Sequence, residues 1–124
     1  MIECEFVKQN LLVENYSGNV SIDDIIILKE YEFAHEKYTD GIHILADLRN
    51  ADFLFDVNKT IKLKSFFDSN SKRIAKTKIA FLTEGTKKDS YSLFMKTLSE
   101  ENIRVVLKLF TSEEEANKWL DENI

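Results

Sequence analysis

The chain has 124 residues, 44% of them apolar and 31% charged, a balance that excludes intrinsic disorder and suits one folded domain. Fourteen aromatic side chains supply bulk for a core, and no apolar run approaches the roughly 18 residues of a membrane span. The net charge of −5 hides a polarity: residues 1–57 carry 12 acids against 4 bases, whereas nine bases stand against two acids between Asn58 and Lys88. A chain that is acidic as a whole argues against nucleic-acid binding, so the basic stretch reads as a solvated face, with an anionic partner as the alternative. A single cysteine excludes an internal disulfide, and the acidic start lacks the basic n-region of a signal peptide. Both point to the cytoplasm.

In chain order, Ile2, Cys4 and Phe6 alternate with polar residues, as do Leu11 and Val13, which predicts a hairpin of strands over residues 2–7 and 11–17. Cys4 reads as a small buried hydrophobe of the first strand. Ser21 with Asp24 forms a capping box for a helix over residues 22–38. Its apolar positions, among them Ile27, Tyr31 and Tyr38, are wider than one core contact needs. Residues 42–48 form a continuous apolar run suited to a central strand covered on both faces. A stretch over 49–57 carries Phe53 and Phe55, and a helix over 59–71 follows. Residues 78–83 predict the next strand. Thr86 with Asp89 caps a third helix, residues 103–110 form the last strand, and Thr111 with Glu114 caps a closing helix.

The order β-β-α-β-α-β-α-β-α implies an α/β fold with a mostly parallel mixed sheet of four to five strands and about four helices. No repeat, proline or low-complexity linker divides residues 1–124, which read as a single domain. If the strands pair in sequential order, constant handedness gathers the crossover helices on one face, and something else must cover the other.

Chemistry is sparse. There is no glycine-rich phosphate loop and no Gly-x-Ser-x-Gly elbow, and two separated histidines with one cysteine build no common zinc site. No catalytic residue, cofactor or metal is expected. His35 reads as surface or interface and His43 as packing. A ligand or partner would gather at the carboxyl ends of the parallel strands, near Asp47, Arg49, Asp52, Phe53, Phe55 and Thr83. Asp47 and Arg49 either form an ion pair that pins a loop, or leave Arg49 to grip an anionic group.

The two-strand opening into a capped helix, the segment Ala46-Asp47-Leu48-Arg49-Asn50-Ala51 and the closing Ala116-x-x-Trp119-Leu120 face together resemble the SpoIIAA-like branch of the STAS fold. These are small bacterial domains related to sulfate transporters and anti-sigma-factor antagonists. The resemblance implies a non-catalytic regulatory domain that docks a protein partner. It also implies that a partner kinase phosphorylates an Asp-Ser pair at the turn into the second helix. This chain has no serine there: the turn reads Phe55-Asp56-Val57-Asn58-Lys59-Thr60, with Asp56 or Asn58 as the helix cap. A related lipid-carrier group implies the alternative of a small apolar or anionic ligand in a pocket of a few hundred Å³ beside Phe53 and Phe55. The expectation is therefore a protein partner or self-association as a homodimer, with Ile27, Tyr31 and Tyr38 as the interface, and no enzyme activity.

Overall fold

The computed structural model describes residues 1–54, 56–99 and 105–122. Strands β1 (Ile2–Lys8) and β2 (Leu11–Val20) form the expected antiparallel hairpin, pairing Ile2 with Tyr16 and Phe6 with Leu12. The alternation turns Ile2, Cys4 and Phe6 half-buried toward the core and leaves Glu3, Glu5 and Val7 exposed on the other side. β2 outruns its apolar pattern because its second half pairs with the next strand, through Ser17–Asn50 to Val20–Phe53.

Helix α1 (Ile22–Ala34) starts at the capping box: the Ser21 hydroxyl accepts from the Asp24 amide at 3.2 Å, and the Asp24 carboxylate accepts from the Ser21 amide at 3.0 Å. It stops four residues short of the expected end, since His35 is already extended. Tyr38 therefore leaves the stripe of Ile27 and Tyr31 and folds back into the core.

Strand β3 (His43–Phe53) is longer than the apolar run that announces it. Residues 49–53 are strand and not loop, because β2 continues beside them. A bulge sets Leu48 and Arg49 against Tyr16 alone. Helix α2 (Val57–Ser69) is capped by Asp56, which accepts from the Lys59 amide at 3.1 Å, and α3 (Ser71–Ile74) adds one turn. Strand β4 (Lys78–Leu82) is buried throughout. A 3₁₀ turn, Gly85–Lys87, holds Thr86 and leads into α4 (Lys88–Ser99); the Asp89 side chain of the expected cap lies outside the described residues. The last strand is β5 (Val106–Phe110), and the expected start at Ile103 also lies outside them. Ser112, and not Thr111, caps α5 (Glu113–Asp121), accepting from the Glu115 amide at 3.3 Å.

The strands lie in the order β1-β2-β3-β4-β5, antiparallel only between β1 and β2. Sequential order with one crossover hand places α1, α2 and α4 on one face. There Ile25, Phe33, Leu63, Phe67, Phe94 and Leu98 close over Leu12, Ile44, Ala46 and Ile79. The opposite face belongs to α5, whose Ala116, Trp119 and Leu120 pack on Leu45, Ala80, Leu82 and Phe110.

Lys78 holds α5 in place. Its side chain is buried, yet Nζ donates to the carbonyls of Trp119 at 2.8 Å and Glu122 at 2.7 Å and stands 5.2 Å over the Trp119 ring. A cation at a helix C-terminus satisfies carbonyls that have no intrahelical donor and meets the negative end of the dipole. Replacing it with an apolar chain strands those carbonyls, at about 1–3 kcal/mol. Lys78→Met is therefore expected to lower the urea midpoint without changing the slope of the transition; an unchanged midpoint would show that α5 does not depend on this contact.

Candidate functional site

Pairing between β3 and β4 ends at Asp47 and Leu82, so Asp47 stands at the carboxyl edge of the parallel pair. Its carboxylate is clamped by Arg49: Oδ1 accepts from the Arg49 amide and from Nε, both at 3.0 Å, and Oδ2 accepts from Nη2 at 2.8 Å. The same Nη2 reaches Glu113 at 2.9 Å, in the first turn of α5. Burial would raise the Asp47 carboxyl, but the guanidinium outweighs it and holds it below the usual range. Of the two readings of Arg49, the geometry is that of an ion pair. It ties a strand to a helix.

The other strand-end candidates do not converge on it. Thr83 is buried and donates to the Glu84 carbonyl at 3.4 Å. Asp52 is exposed and faces Lys87 at 3.3 Å. Phe53 lies on the helix-covered face, 4.8 Å from Phe94 and 5.8 Å from Tyr91. Phe55 lies outside the described residues. The cavity that Phe53 lines measures about 20 Å³, room for one water and far below the few hundred Å³ expected of a ligand pocket. Among the described residues, no three His, Cys, Asp or Glu could hold a metal ion, and no helix is long and apolar enough to cross a membrane.

Beneath α1 lies a group of charges that the sequence reading missed. Glu14, Lys29 and Glu32 are each at most 2% exposed. Lys29 Nζ bridges the two carboxyls, bonding Glu14 Oε2 and, at 3.1 Å, Glu32 Oε1, while the Tyr16 hydroxyl donates to Glu14 Oε1 at 2.7 Å. Burial pushes the Glu32 carboxyl up to about 9, and the neighbouring Glu14 adds to the effect. Burial alone would raise Glu14 too, but Lys29 and its hydrogen bonds hold it below the ordinary value. Desolvation works against the charge on Lys29, and the two carboxyls overcome it. At neutral pH the set is therefore one ammonium, one carboxylate and one protonated carboxyl. A proton on Glu32, hydrogen-bonded to Glu14, also answers for Glu32 Oε2, a buried acceptor with no donor in reach. Cys4 stands nearby, and burial together with Glu32 and Glu14 raises its thiol, so it stays protonated and unreactive.

The signal for this group was present. Glu14 sits between Leu12 and Tyr16 on the inward side of β2, and Lys29 and Glu32 follow Ile25 and Leu28 by four residues each on the inward side of α1. Period-2 and period-3.6 patterns predict the inward direction whether or not the residue there is apolar.

The expected interface divides. Ile27 and Tyr31 are 65% and 58% exposed. Tyr38 is 6% exposed, packed edge-on against Phe33 at 5.1 Å, with its hydroxyl donating to the Arg73 carbonyl at 3.0 Å. It is core. Beside Ile27 and Tyr31 runs an open groove of about 660 Å³ between α1 and β1, lined also by Met1, Ile2, Cys4 and Leu28.

No family model and no curated protein matches the sequence. Among solved structures, the chain is similar to an uncharacterized protein of the DUF3478 family with a SpoIIAA-like fold from Shewanella loihica PV-4. The two share 18% identity over 97% of this chain and 92% of that one, with a TM-score of 0.61. The fold is SpoIIAA-like. A phosphorylated Bacillus cell fate determinant, SpoIIAA, aligns over 96% of this chain and 99% of its own at 13% identity and a TM-score of 0.48.

Within this SpoIIAA-like fold, the turn into α2 offers no accessible hydroxyl at Thr60. That side chain is fully buried and donates to the Asp56 carbonyl at 2.9 Å. Four of the nine bases in the basic stretch are held in ion pairs: Lys59 and Lys62 both reach Asp23, Arg73 reaches Asp40 at 2.9 Å, and Lys87 reaches Asp52.

Three predictions follow from these contacts. Lys29→Met leaves Glu14 charged and unpaired in the core, so a loss of about 3–5 kcal/mol is expected on urea unfolding. Glu32 binds its proton more tightly folded than unfolded. Its contribution is thus complete below about pH 4.5 and lost as pH rises toward about 9. Glu32→Gln should flatten the decline in stability between those limits, and identical slopes for the variant and the wild type would exclude the buried proton. The Asp47–Arg49 pair is partly exposed, so Asp47→Asn should cost only about 1 kcal/mol. A melting temperature unchanged by this substitution would return Arg49 to the candidates for anion binding.

Proposed function

We propose that the domain acts by docking a protein partner on the face built by α1 and the outer side of β1, and that it carries out no chemistry of its own. The observation that carries this reading is the exposure of Ile27 and Tyr31 beside a largely apolar groove, whereas the cavity beside Phe53 holds no more than a water. Large exposed apolar residues are unremarkable singly. A contiguous set beside a groove marks an interaction surface. Among the described residues, several groups suited to acid–base or nucleophilic work are otherwise engaged: Arg49 and Asp47 bind each other, Lys29 binds its two carboxyls, and Cys4 keeps its proton. A regulatory role of this kind is also what the SpoIIAA-like fold favours.

The test combines two measurements. A photoreactive phenylalanine analogue in place of Tyr31 is expected to form a discrete cross-linked adduct in cells, whereas the same analogue in place of Glu114 on α5 forms none. Native mass spectrometry of the purified chain should give the mass of the polypeptide alone. A stoichiometric small molecule retained in that spectrum, with no adduct at position 31, would replace docking by ligand carriage.

A further inference from the structure

We propose that the partner presents an extended segment of alternating apolar and basic residues, which adds to the sheet along the outer edge of β1. The inference rests on the interaction reading above and names the chemistry of what docks.

β1 is the outermost strand, so one row of its backbone N–H and C=O groups points away from the sheet. It is seven residues long and free of proline, a template on which an extended segment gains main-chain hydrogen bonds. The other edge, β5, has five residues among those described.

Side-chain placement decides what such a segment must carry. On the α1 side of β1, Ile2 and Cys4 share the groove with Ile27, Leu28 and Tyr31. On the opposite side, Glu3 and Glu5 are exposed. A strand laid beside β1 repeats its alternation, since successive side chains point to opposite faces. Every second residue enters the apolar groove, and those between stand beside Glu3 and Glu5 at cross-strand distance. Asp24, the acidic residue of α1 at the groove, and Glu30, exposed one helical turn from Ile27, add further negative charge on the α1 side. Basic residues complement this edge. A second copy paired antiparallel with Cys4 opposite Cys4 does not, because Glu3 then faces Glu5 on both flanks, and like charges directly opposite are destabilising. The acidic edge thus turns away its own kind and admits a cationic strand.

The experiment uses a fluorescently labelled heptapeptide, Lys-Val-Lys-Val-Lys-Val-Lys, its Glu-for-Lys counterpart and a block-order peptide of the same lysine and valine content. The alternating lysine peptide should raise fluorescence anisotropy with the wild-type chain and slow amide exchange along Ile2–Lys8. The glutamate and block-order peptides should do neither. The double substitution Glu3→Lys, Glu5→Lys should weaken binding about tenfold. Both residues are exposed, so its melting temperature should hold, with Glu3→Gln, Glu5→Gln as the milder pair. Absence of binding at millimolar peptide, equal binding of the block-order peptide, undiminished binding by the charge variants, or protection away from β1 overturns the proposal. A cross-link at position 31 that persists while the lysine peptide fails leaves the docking function standing and removes this strand chemistry alone.

Discussion

Five strands paired in sequential order, with parallel crossovers of one hand, commit three helices to the same side of the sheet. Everything else in the architecture answers to that constraint. The side that receives α1, α2 and α4 forms the larger core. The other side would expose Leu45, Ala80, Leu82 and Phe110 but for α5, which follows β5. Contacts at both ends fix that helix. Lys78 holds its C-terminus and the Arg49–Glu113 pair its N-terminus.

The same order makes β1 an edge. Its partner β2 is an antiparallel neighbour reached through a tight turn, so no crossover helix is required on its account, and α1 is the nearest cover available. α1 is set over the sheet by Lys29 and Glu32, which hold it to Glu14. A buried ion pair is weak evidence of added stability, because desolvation offsets most of the attraction. Its value lies in what happens when the register slips. Turning α1 to bury Ile27 and Tyr31 would draw Lys29 away from Glu14 and strand a carboxylate in the core. The charge group therefore keeps the apolar outer stripe of the helix facing out. It connects the interior electrostatics to the proposed docking surface.

The lopsided distribution of charge along the chain finds a similar resolution. Asp23 and Asp40, from the acidic first half, are met by Lys59, Lys62 and Arg73 from the basic stretch that follows. Each such surface pair is worth only about 0–1 kcal/mol. Their larger effect is on the field: acids near α2 and α3 are neutralised in place, whereas Glu3, Glu5 and Glu30 have no such neighbours among these pairs.

Local rules determined a great deal of this protein from its sequence. Alternation in Ile2–Phe6, the capping box at Ser21 and the apolar run from Ile42 announce elements whose hydrogen bonds lie within one segment or with an adjacent one. The strand–helix alternation then implies parallel pairing, and the absence of phosphate-loop and metal motifs narrows the chemistry. What the local pattern could not decide depends on neighbours distant in the chain. β3 extends to Phe53 because β2 keeps pairing with it beyond the bulge, so Arg49 and Asp52 are strand residues despite their loop-like composition. Tyr38 has the spacing of a helical stripe, but the helix ends before it and Phe33 and Arg73 enclose it. Ser112 takes the cap that Thr111 could equally have filled. Glu14, Lys29 and Glu32 stand out in sequence only as polar residues at inward positions. Their union needs β2 and α1 to face each other across the core, because a charge becomes tolerable there only when the tertiary structure brings its counterpart within reach.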